Sequence, residues 1–526
     1  MAKRFQSTAV VARVILAVVG LMAATISVSA AEGKPAVRPE APAVVKPSEF
    51  QQSGWNARAK QRFMHPPVLT YTAVEDAAKY RCAVSWTDAR TVHTERMESA
   101  TPEFDLARIW DGMPTAGPFQ VAAEALGNDG KVLAKTESKC QRIASFKGPY
   151  RPAKCGYGES GAKTVAWLLK KKPSAYVSSY PSLLLSSYIR ILTAYVRLNP
   201  RGESAEQALQ AAKEYGQSLL KGSTPADWAY ANVPMSHNPK VFQVGRGGMA
   251  GMAYLDLCGV TKDKGWLEAA MRIADTLKKN QLLEGRWPWR VEPKTGKVLA
   301  DYTSDQAEAI VLLDALIRDH GRKDLQETCD KAVAWTLENP CKTYLWQHQW
   351  DDTGLWPPYV NLSWYDTALF IEYLLRHATP KNDYEKIARA LMRYIEDHFV
   401  EWEPIGNEIT PGAREQYQCY SIIDWHGAHY IRICMAFHAT TREDVWLKKA
   451  RAMADTLTAV QHPDGFYPTW MNHKPSKEAP GELNDINYKD VWPNCSSYSG
   501  EILLRLEEYL RKEGPRSPGR PLTATA

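Results

Sequence analysis

The stretch Trp266-Leu-Glu-Ala-Ala-Met-Arg-Ile-Ala-Asp-Thr-Leu277 returns later in the chain as Trp446-Leu-Lys-Lys-Ala-Arg-Ala-Met-Ala-Asp-Thr-Leu457. Both copies continue to a glutamine and then to a turn, which reads Gly285-Arg-Trp-Pro288 in the first copy and Gly465-Phe-Tyr-Pro468 in the second. Every matched position is shifted by the same amount, the spacing from Trp266 to Trp446, which we call the repeat offset. A repeat at constant spacing is typical of folds built from copies of one structural unit, so it decides the fold class.

Weaker copies divide the repeat offset into three units of about 60 residues, each with a polar amphipathic helix and a more apolar partner. The polar helices are predicted at 158–172, 203–221, 263–282, 322–338, 382–400 and 443–462. The apolar helices are predicted at 177–198, 244–258, 303–319, 362–377, 417–438 and 495–512. An inner layer requires helices that are apolar on most faces, whereas an outer layer keeps one charged face.

Six hairpins with an inner and an outer layer predict a mainly α fold, an (α/α)6 toroid over residues 151–515. An open helical solenoid is the structural alternative. Residues 63–150 contain short alternating runs separated by turn signals, which predict a small β-sandwich of the fibronectin type III kind. Residues 516–526 are expected to form a disordered tail.

The N-terminal segment reads as a secretory signal peptide over residues 1–31. Basic residues precede a short apolar run, and small residues follow it at Val28-Ser-Ala-Ala31. A Pro-rich linker is predicted at 32–62, and no later segment has the uninterrupted apolar run that a membrane-spanning helix needs. We therefore expect a secreted or periplasmic protein with no membrane span once the signal is removed.

The overall charge and the cysteines exclude some classes of function. The formal net charge of +6 falls to +3 without Lys3, Arg4 and Arg13 of the signal, which is no footprint for nucleic acid. The nine cysteines form no CxxC pair, which argues against a zinc ribbon or a redox motif. The oligomeric state cannot be read from the sequence.

A toroid behind a small sandwich, with a Trp-Pro or Tyr-Pro turn after the repeated helix, resembles the six-hairpin carbohydrate-active enzymes. These include polysaccharide lyases with an α/α toroid and the unsaturated-glucuronyl hydrolases. The resemblance implies an active site in the concave mouth of the ring. It does not choose between elimination and hydrolysis.

The loops that lead from outer to inner helices are long, and they carry half of the 18 tryptophans. Long loops in a compact domain are often functional, and indoles can stack on the C–H faces of sugars. The alternative is that these indoles only pack the loops onto the barrel. The predicted substrate-binding residues are Trp287, Trp289, Trp356, Trp470, His237, Arg246 and Tyr498.

The richest polar stretch, Arg414 to Tyr430, is predicted to open the fifth inner helix. With neighbouring rim positions it supplies the candidate catalytic residues Tyr420, His426, Tyr365, Asp366, Asn361, Arg290, Arg414 and Glu415. For any one of them, the alternative is a hydrogen-bonded polar group of the inner layer. Asp424 with His426 and His429 could form a metal site, but a lone His pair at this spacing is weak evidence. We expect neither a metal nor a cofactor.

Two reactions suit such residues. β-Elimination at a uronate needs Arg, Asn or His to neutralise the sugar carboxylate and a Tyr or His to move the proton. Hydrolysis needs two carboxyl groups, which Asp305, Asp366, Glu415 and Asp424 could supply. The resemblance to the unsaturated-glucuronyl hydrolases implies instead a single Asp, for which Asp366 is the candidate. The abundance of Arg, Tyr and His favours a β-eliminating polysaccharide lyase acting on an acidic, uronate-containing poly- or oligosaccharide. The hydrolase and a non-catalytic glycan-binding toroid are the alternatives.

Overall fold

The structure is a computed structural model that describes residues 52–53, 62–170, 180–236, 241–301, 306–344, 346, 363–415, 421–474 and 486–513. All of them belong to one compact unit, Pro42–Ala526. The predicted signal peptide, most of the linker and the predicted tail lie outside the described residues. Within those ranges, no helix has the length and apolar character needed to cross a membrane.

In the described residues, eight strands precede the ring. They are β1 (Gln52–Ser53), β2 (Arg62–Phe63), β3 (Val68–Tyr71), β4 (Lys79–Asp88), β5 (Thr91–Ser99), β6 (Glu103–Asp105), β7 (Gly117–Leu126) and β8 (Val132–Arg142). They form a five-stranded sheet in the order β2-β8-β7-β4-β5 and a three-stranded sheet in the order β1-β3-β6. The helical turn Ala107–Trp110 connects β6 to β7.

The two sheets share one hydrophobic cluster. Alternate residues of β4 and β7 are buried in it, and Leu69 and Tyr71 of β3 and Phe104 of β6 enter the same cluster from the other sheet. Period-two alternation of this kind is what one buried face of a sheet requires. The assignment of this region to the fibronectin type III class stays a prediction.

Twelve helices of more than ten residues follow in the described ranges. The outer helices are α1 (Tyr157–Lys170), α3 (Glu203–Lys221), α5 (Lys264–Lys279), α7 (Gln326–Glu338), α9 (Tyr384–Phe399) and α11 (Asp444–Val460). The inner helices are α2 (Pro181–Leu198), α4 (Val244–Thr261), α6 (Ala307–His320), α8 (Tyr365–Arg376), α10 (Asp424–Thr441) and α12 (Pro493–Glu513). A further helical turn, Pro340–Thr343, follows α7.

Contacts between helices close the ring. Each inner helix packs against the next, from α2 through α12, and α12 packs back against α2. Helix α12 also packs against the first outer helix, α1. The predicted toroid of six hairpins is therefore confirmed, and an open solenoid is excluded because its first and last units would not meet.

One predicted boundary is wrong. Inner helix α10 begins at Asp424 and not near residue 417. Ile422 and Ile423 precede it in extended backbone, where they form β-bridges to Arg414 and Trp470. These bridges occupy backbone groups that a helix would need, so the helix starts after them.

The repeated turn joins one hairpin to the next. Gly285 and Gly465 have φ angles of +98° and +106°, which only glycine adopts without strain. A Cβ atom on either would lie closer than 3.0 Å to a backbone oxygen of the next outer helix, that of Lys331 in α7 or of Lys163 in α1. Each turn therefore packs tightly against its neighbour, and the second turn seals the ring.

The repeat extends to short β pairs beside the inner helices. Strand β10 (Arg290–Val291) pairs with both β9 (Phe242–Gln243) and β11 (Val298–Ala300), so that Gln243 lies opposite Arg290. One repeat offset later, Ile423 lies opposite Trp470. A last pair, β12 (Val400–Glu401) with β13 (Gly412–Ala413), follows α9. These pairs hold the rim loops at the N-terminal ends of α4 and α10.

The β region contacts the ring at the end of α9. The backbone N–H of Met64 donates to Asp397 at 2.6 Å, and Arg62 forms an ion pair with Glu401 at 2.9 Å. His65 contacts Glu396 at 2.5 Å. The two regions are thus held together by buried charged and polar contacts as well as by apolar packing.

Candidate active site at the mouth of the ring

The N-terminal ends of the six inner helices share one rim of the ring, which we call the mouth. Each helix N-terminus carries a partial positive charge of about half an elementary charge. Three inner helices place a carboxyl group in the first turn, namely Glu308 in α6, Asp366 in α8 and Asp424 in α10. All three side chains are buried. The mouth therefore concentrates acidic groups in a site that water reaches poorly.

Asp424 is held between α10 and α12. One carboxyl oxygen, Oδ2, accepts a hydrogen bond from the Ser499 hydroxyl at 3.0 Å. The other, Oδ1, has no hydrogen-bond partner among the residues that the structure describes. Burial raises the pKa of Asp424 to about 8, against the lowering effects of the Ser499 hydrogen bond and of the backbone N–H groups of Trp425 and Asp424. At neutral pH this group is mainly a carboxylic acid that can donate a proton.

His426 lies two residues further along α10. Its ring meets the Trp364 indole edge to face, with 5.2 Å between centroids. Neither ring nitrogen has a hydrogen-bond partner in the described ranges. Burial lowers the pKa of His426 to about 3, so the imidazole is neutral at physiological pH.

Tyr365 and Glu308 form a buried pair between α8 and α6. The Tyr365 hydroxyl donates a hydrogen bond to Glu308 Oε1. Burial raises the pKa of Glu308, while Arg190, Arg432 and the Tyr365 hydrogen bond oppose the rise. Glu308 was not among the candidates from sequence. The available signal was a single acid in the otherwise apolar first half of an inner helix.

His429 and Tyr498 connect α10 to α12 deeper in the ring. The Tyr498 hydroxyl lies 2.9 Å from His429 Nδ1, and the two rings stack with centroids 4.3 Å apart. The Trp425 indole N–H donates to His429 Nε2, and Arg432 donates to the Tyr498 hydroxyl at 3.2 Å. Burial lowers the pKa of His429 well below its usual range. Tyr498, predicted to bind substrate, is thus part of a buried hydrogen-bonded network.

Several predicted residues have structural partners. Arg414 donates to Glu401 at 3.2 Å and to Glu408 at 2.6 Å, and its backbone oxygen accepts from the Trp364 indole. Glu415 next to it is half-buried. The guanidinium of Arg290 lies 3.9 Å from the centre of the Trp289 ring.

Arg246 is buried in the first turn of α4 and donates to the side-chain oxygen of Gln243 at 3.2 Å. It occupies the position in the first copy that His426 occupies in the second. In a ring of six units the repeat offset is three units, so the two side chains belong to opposite sides of the mouth.

The predicted aromatic rim separates into two groups. Trp287 and Trp289 are buried, and the Trp287 indole N–H donates to the Leu277 oxygen at 2.8 Å. Trp470 is 38% exposed. The predicted site residues Asn361, Trp356, His237 and Tyr420 lie outside the described residues. Packing thus explains the two tryptophans of the first copy but not Trp470.

The described part of the chain contains no group of three or more His, Cys, Asp or Glu side chains that could hold a metal ion. The inner helices place a set of proton-transfer groups at the mouth. A protonated carboxyl, a neutral imidazole and a carboxyl–phenol pair can move protons to and from a bound molecule.

No known protein-family profile matches the chain, and no curated protein sequence matches it. Solved structures do match. A family 76 glycoside hydrolase from a bovine Bacteroides thetaiotaomicron strain is 11% identical with a TM-score of 0.51, covering 84% of this chain and 96% of that one. A D-mannose isomerase is 11% identical with a TM-score of 0.50, covering 67% and 97%. An unsaturated glucuronyl hydrolase specific for heparin is 12% identical with a TM-score of 0.47, covering 67% and 97%.

At such identities a structural likeness shows the fold alone. The resemblance to six-hairpin carbohydrate-active enzymes is confirmed at that level, because the glycoside hydrolase and the isomerase match over most of their own length. The reaction and the substrate have to be argued from the residues at the mouth.

Proposed function

We propose that this protein is an exported carbohydrate-active enzyme that binds an acidic saccharide in the mouth of the ring and cleaves a glycosidic bond, with Asp424 as the proton donor. The observation that carries the proposal is the buried Asp424 carboxyl, whose pKa is raised to about 8 and whose Oδ1 has no partner in the described ranges. Cleavage of a glycosidic bond needs a proton on the leaving oxygen. An acid that stays protonated at neutral pH supplies it.

A hydrolytic reaction also needs a second carboxyl group, as base or nucleophile. Glu308 and Asp366 offer such groups in the first turns of the two inner helices before α10. Burial raises the pKa of Glu308, and Arg190, the Tyr365 hydrogen bond and Arg432 limit the rise. Glu308 is a candidate for the second carboxyl group because the Tyr365 hydroxyl fixes its position.

The acidic substrate is supported by the field at the mouth. Six helix N-termini point at this rim, and Arg246 lies in the first turn of α4. A uronate carboxylate would be favoured on the α4 side of the mouth, where the first turn carries Arg246 and no acid, since backbone N–H groups and a guanidinium both favour anions.

β-Elimination is the second candidate, and His426 is the observation that favours it. Both ring nitrogens of its imidazole lack a partner among the residues described, so they are free to contact a bound sugar. Removal of the C5 proton of a uronate would give a lyase, as the sequence predicts.

The two reactions are separated by incubating the purified protein with uronate polysaccharides and with pre-made unsaturated oligosaccharides. Elimination creates a C4–C5 double bond conjugated to the carboxylate, so absorbance in the near ultraviolet rises. Hydrolysis releases reducing ends without that rise, and hydrolysis of an unsaturated uronyl end removes existing absorbance. A protein that changes none of these substrates contradicts the proposal.

Asp424→Asn tests the proton donor. The amide keeps the shape of the side chain but cannot donate the proton to the leaving oxygen, so kcat should fall by about 10²–10³-fold. The matched control is Asp444→Asn, because Asp444 is also the first residue of its helix, the outer helix α11. Full activity of Asp424→Asn would remove Asp424 from the mechanism.

A further inference from the structure

Two tryptophans of the described chain, Trp470 and Trp492, remain exposed, at 38% and 47% of their surface. An indole is among the largest apolar side chains, and burial normally stabilises the fold, so two indoles exposed on one loop call for an explanation. Both belong to the loop between α11 and α12, which ends at the mouth.

Thr469 anchors both residues next to the proposed proton donor. Its hydroxyl accepts from the Trp492 backbone N–H at 2.7 Å, and its N–H donates to the Asp490 oxygen at 3.2 Å. Its carbonyl oxygen accepts from the Asp424 backbone N–H at 3.2 Å. One residue thus holds the chain that carries the two indoles and the first residue of α10.

The other half of the ring shows that this exposure is not imposed by the fold. The position equivalent to Trp470 is Arg290, which is paired with Gln243 in the same way. There the side chain lies over the buried Trp289 ring. Thr469 replaces Trp289 in the second half, so Trp470 has no equivalent aromatic neighbour from its own segment.

We infer that Trp470 and Trp492 form a sugar-stacking platform that holds the saccharide beside Asp424. Pyranose rings present flat C–H faces, and an exposed indole presents the complementary apolar face, whatever the charge of the sugar. The inference rests on the proposed function, and it adds a binding subsite to the mouth. The platform would hold a sugar unit next to the one that reacts.

Binding is tested in the Asp424→Asn background, where slow turnover leaves the ligand intact. The probes are hexasaccharides of oligogalacturonate, of oligomannuronate and of heparin, titrated by tryptophan fluorescence and calorimetry. Trp470→Ala and Trp492→Ala should each weaken binding by about tenfold, and Trp470→Phe should keep most of the affinity. The bound sugar should also shift the indole emission, and that shift should shrink in each Ala variant.

The control is Leu283→Ala, since Leu283 is fully exposed on the loop between α5 and α6. It should bind like the background protein. Its melting temperature should also match that of the background protein, because a fully exposed side chain contributes little to stability. In the active protein, Trp470→Ala should raise KM and change kcat less.

Three results would overturn the platform. These are unchanged affinity for every hexasaccharide in both Ala variants, an unchanged KM in an active protein, or a change of oligomeric state in Trp470→Ala with no change in sugar binding. Tryptophan-dependent binding without any cleavage would instead keep the platform and reject the proposed reaction. Cleavage with no tryptophan dependence would keep the reaction and reject the platform.

Discussion

The two halves of the ring share one backbone framework but carry different side chains at the mouth. The outer helix, its glutamine, the glycine turn and the β pair beside the inner helix occur in residues 243–291 and recur, one repeat offset later, in residues 423–471. Gln281 donates to the Gly285 oxygen at 2.8 Å, and Gln461 donates to the Gly465 oxygen at 2.9 Å. The repeated residues are therefore those that the backbone geometry requires.

The residues facing the mouth have diverged. Val244 in the first half corresponds to Asp424 in the second, and Arg246 corresponds to His426. Arg290 corresponds to Trp470. The comparison teaches that constant spacing within one chain marks the scaffold, whereas the candidate chemistry lies where the two copies differ.

The largest expected effect comes from removing the glycine of either turn. Gly465→Ala forces a side chain into the left-handed region, which costs roughly 1–2 kcal/mol, and presses its Cβ onto the Lys163 oxygen. With the cost of overpacking, the free energy of unfolding should fall by about 3 kcal/mol or more. Gly285→Ala should do the same against Lys331. Urea unfolding measures both.

Gly259→Ala is the control for these variants. Gly259 lies in α4 with a negative φ, and its added Cβ would meet no atom within 4 Å. Since alanine is the better helix former, stability should rise slightly, by up to about 1 kcal/mol. Equal losses at all three glycines would contradict the packing account of the turns.

Replacing the two equivalent glutamines should destabilise the protein to different extents. Gln461 is buried and also bonds the first outer helix, at the Ser160 oxygen (2.9 Å) and the Thr164 hydroxyl (3.1 Å). Gln281 is half-buried and makes one such bond, to the Thr328 oxygen at 2.8 Å. Because buried groups left unpaired cost about 1–3 kcal/mol each, Gln461→Ala should lower the free energy of unfolding by about 2–3 kcal/mol and Gln281→Ala by about 1. Equal losses of stability would show that the contact between the second turn and α1, which closes the ring, contributes no more than its counterpart in the first half.

The stability of the protein should depend on pH through Asp424 in the second half, and the first half has no such group because its equivalent residue is Val244. The pKa of its carboxyl is raised by burial to about 8 in the folded protein, so the folded state holds a proton that the unfolded state releases above about pH 4. Its contribution to stability is complete below pH 4 and is lost as pH rises to 8. Relative to Asp424→Asn, the protein should therefore lose about 1.4 kcal/mol between pH 6 and pH 7. A constant difference in urea unfolding at the two pH values would show that Asp424 is ionised when folded.

The smallest expected effect is at the aromatic residue of the second turn. The Tyr467 hydroxyl lies 2.7 Å from the Ser160 hydroxyl, which itself donates to Gln461. Tyr467→Phe removes one hydrogen bond and leaves the ring in place, so the free energy of unfolding should fall by about 1 kcal/mol. A loss as large as that of Gln461→Ala would mean that the Tyr467 hydroxyl stabilises the contact with α1 as much as the Gln461 amide does.

The site was only partly predictable. The sequence predicts Tyr365, Asp366 and His426 as catalytic candidates because they are polar and lie at the start of inner helices. The structure places all three in the buried mouth. Glu308 was missed, since one acid in the first turn of a helix gives no spacing pattern. Trp287 and Trp470 had the same sequence argument, yet one is buried and the other exposed.

The sequence by itself determined the six hairpins, their order and the closing turns, because helical periodicity, glycine turns and a fixed offset are local signals that repetition strengthens. Only the tertiary structure decided which groups meet. Tyr365 reaches Glu308 across 57 residues of chain, His429 reaches Tyr498 across 69, and Asp424 reaches Ser499 across 75. Burial and partners set the pKa of a side chain, and both come from helices distant in sequence, so no local pattern could assign a protonated acid to Asp424.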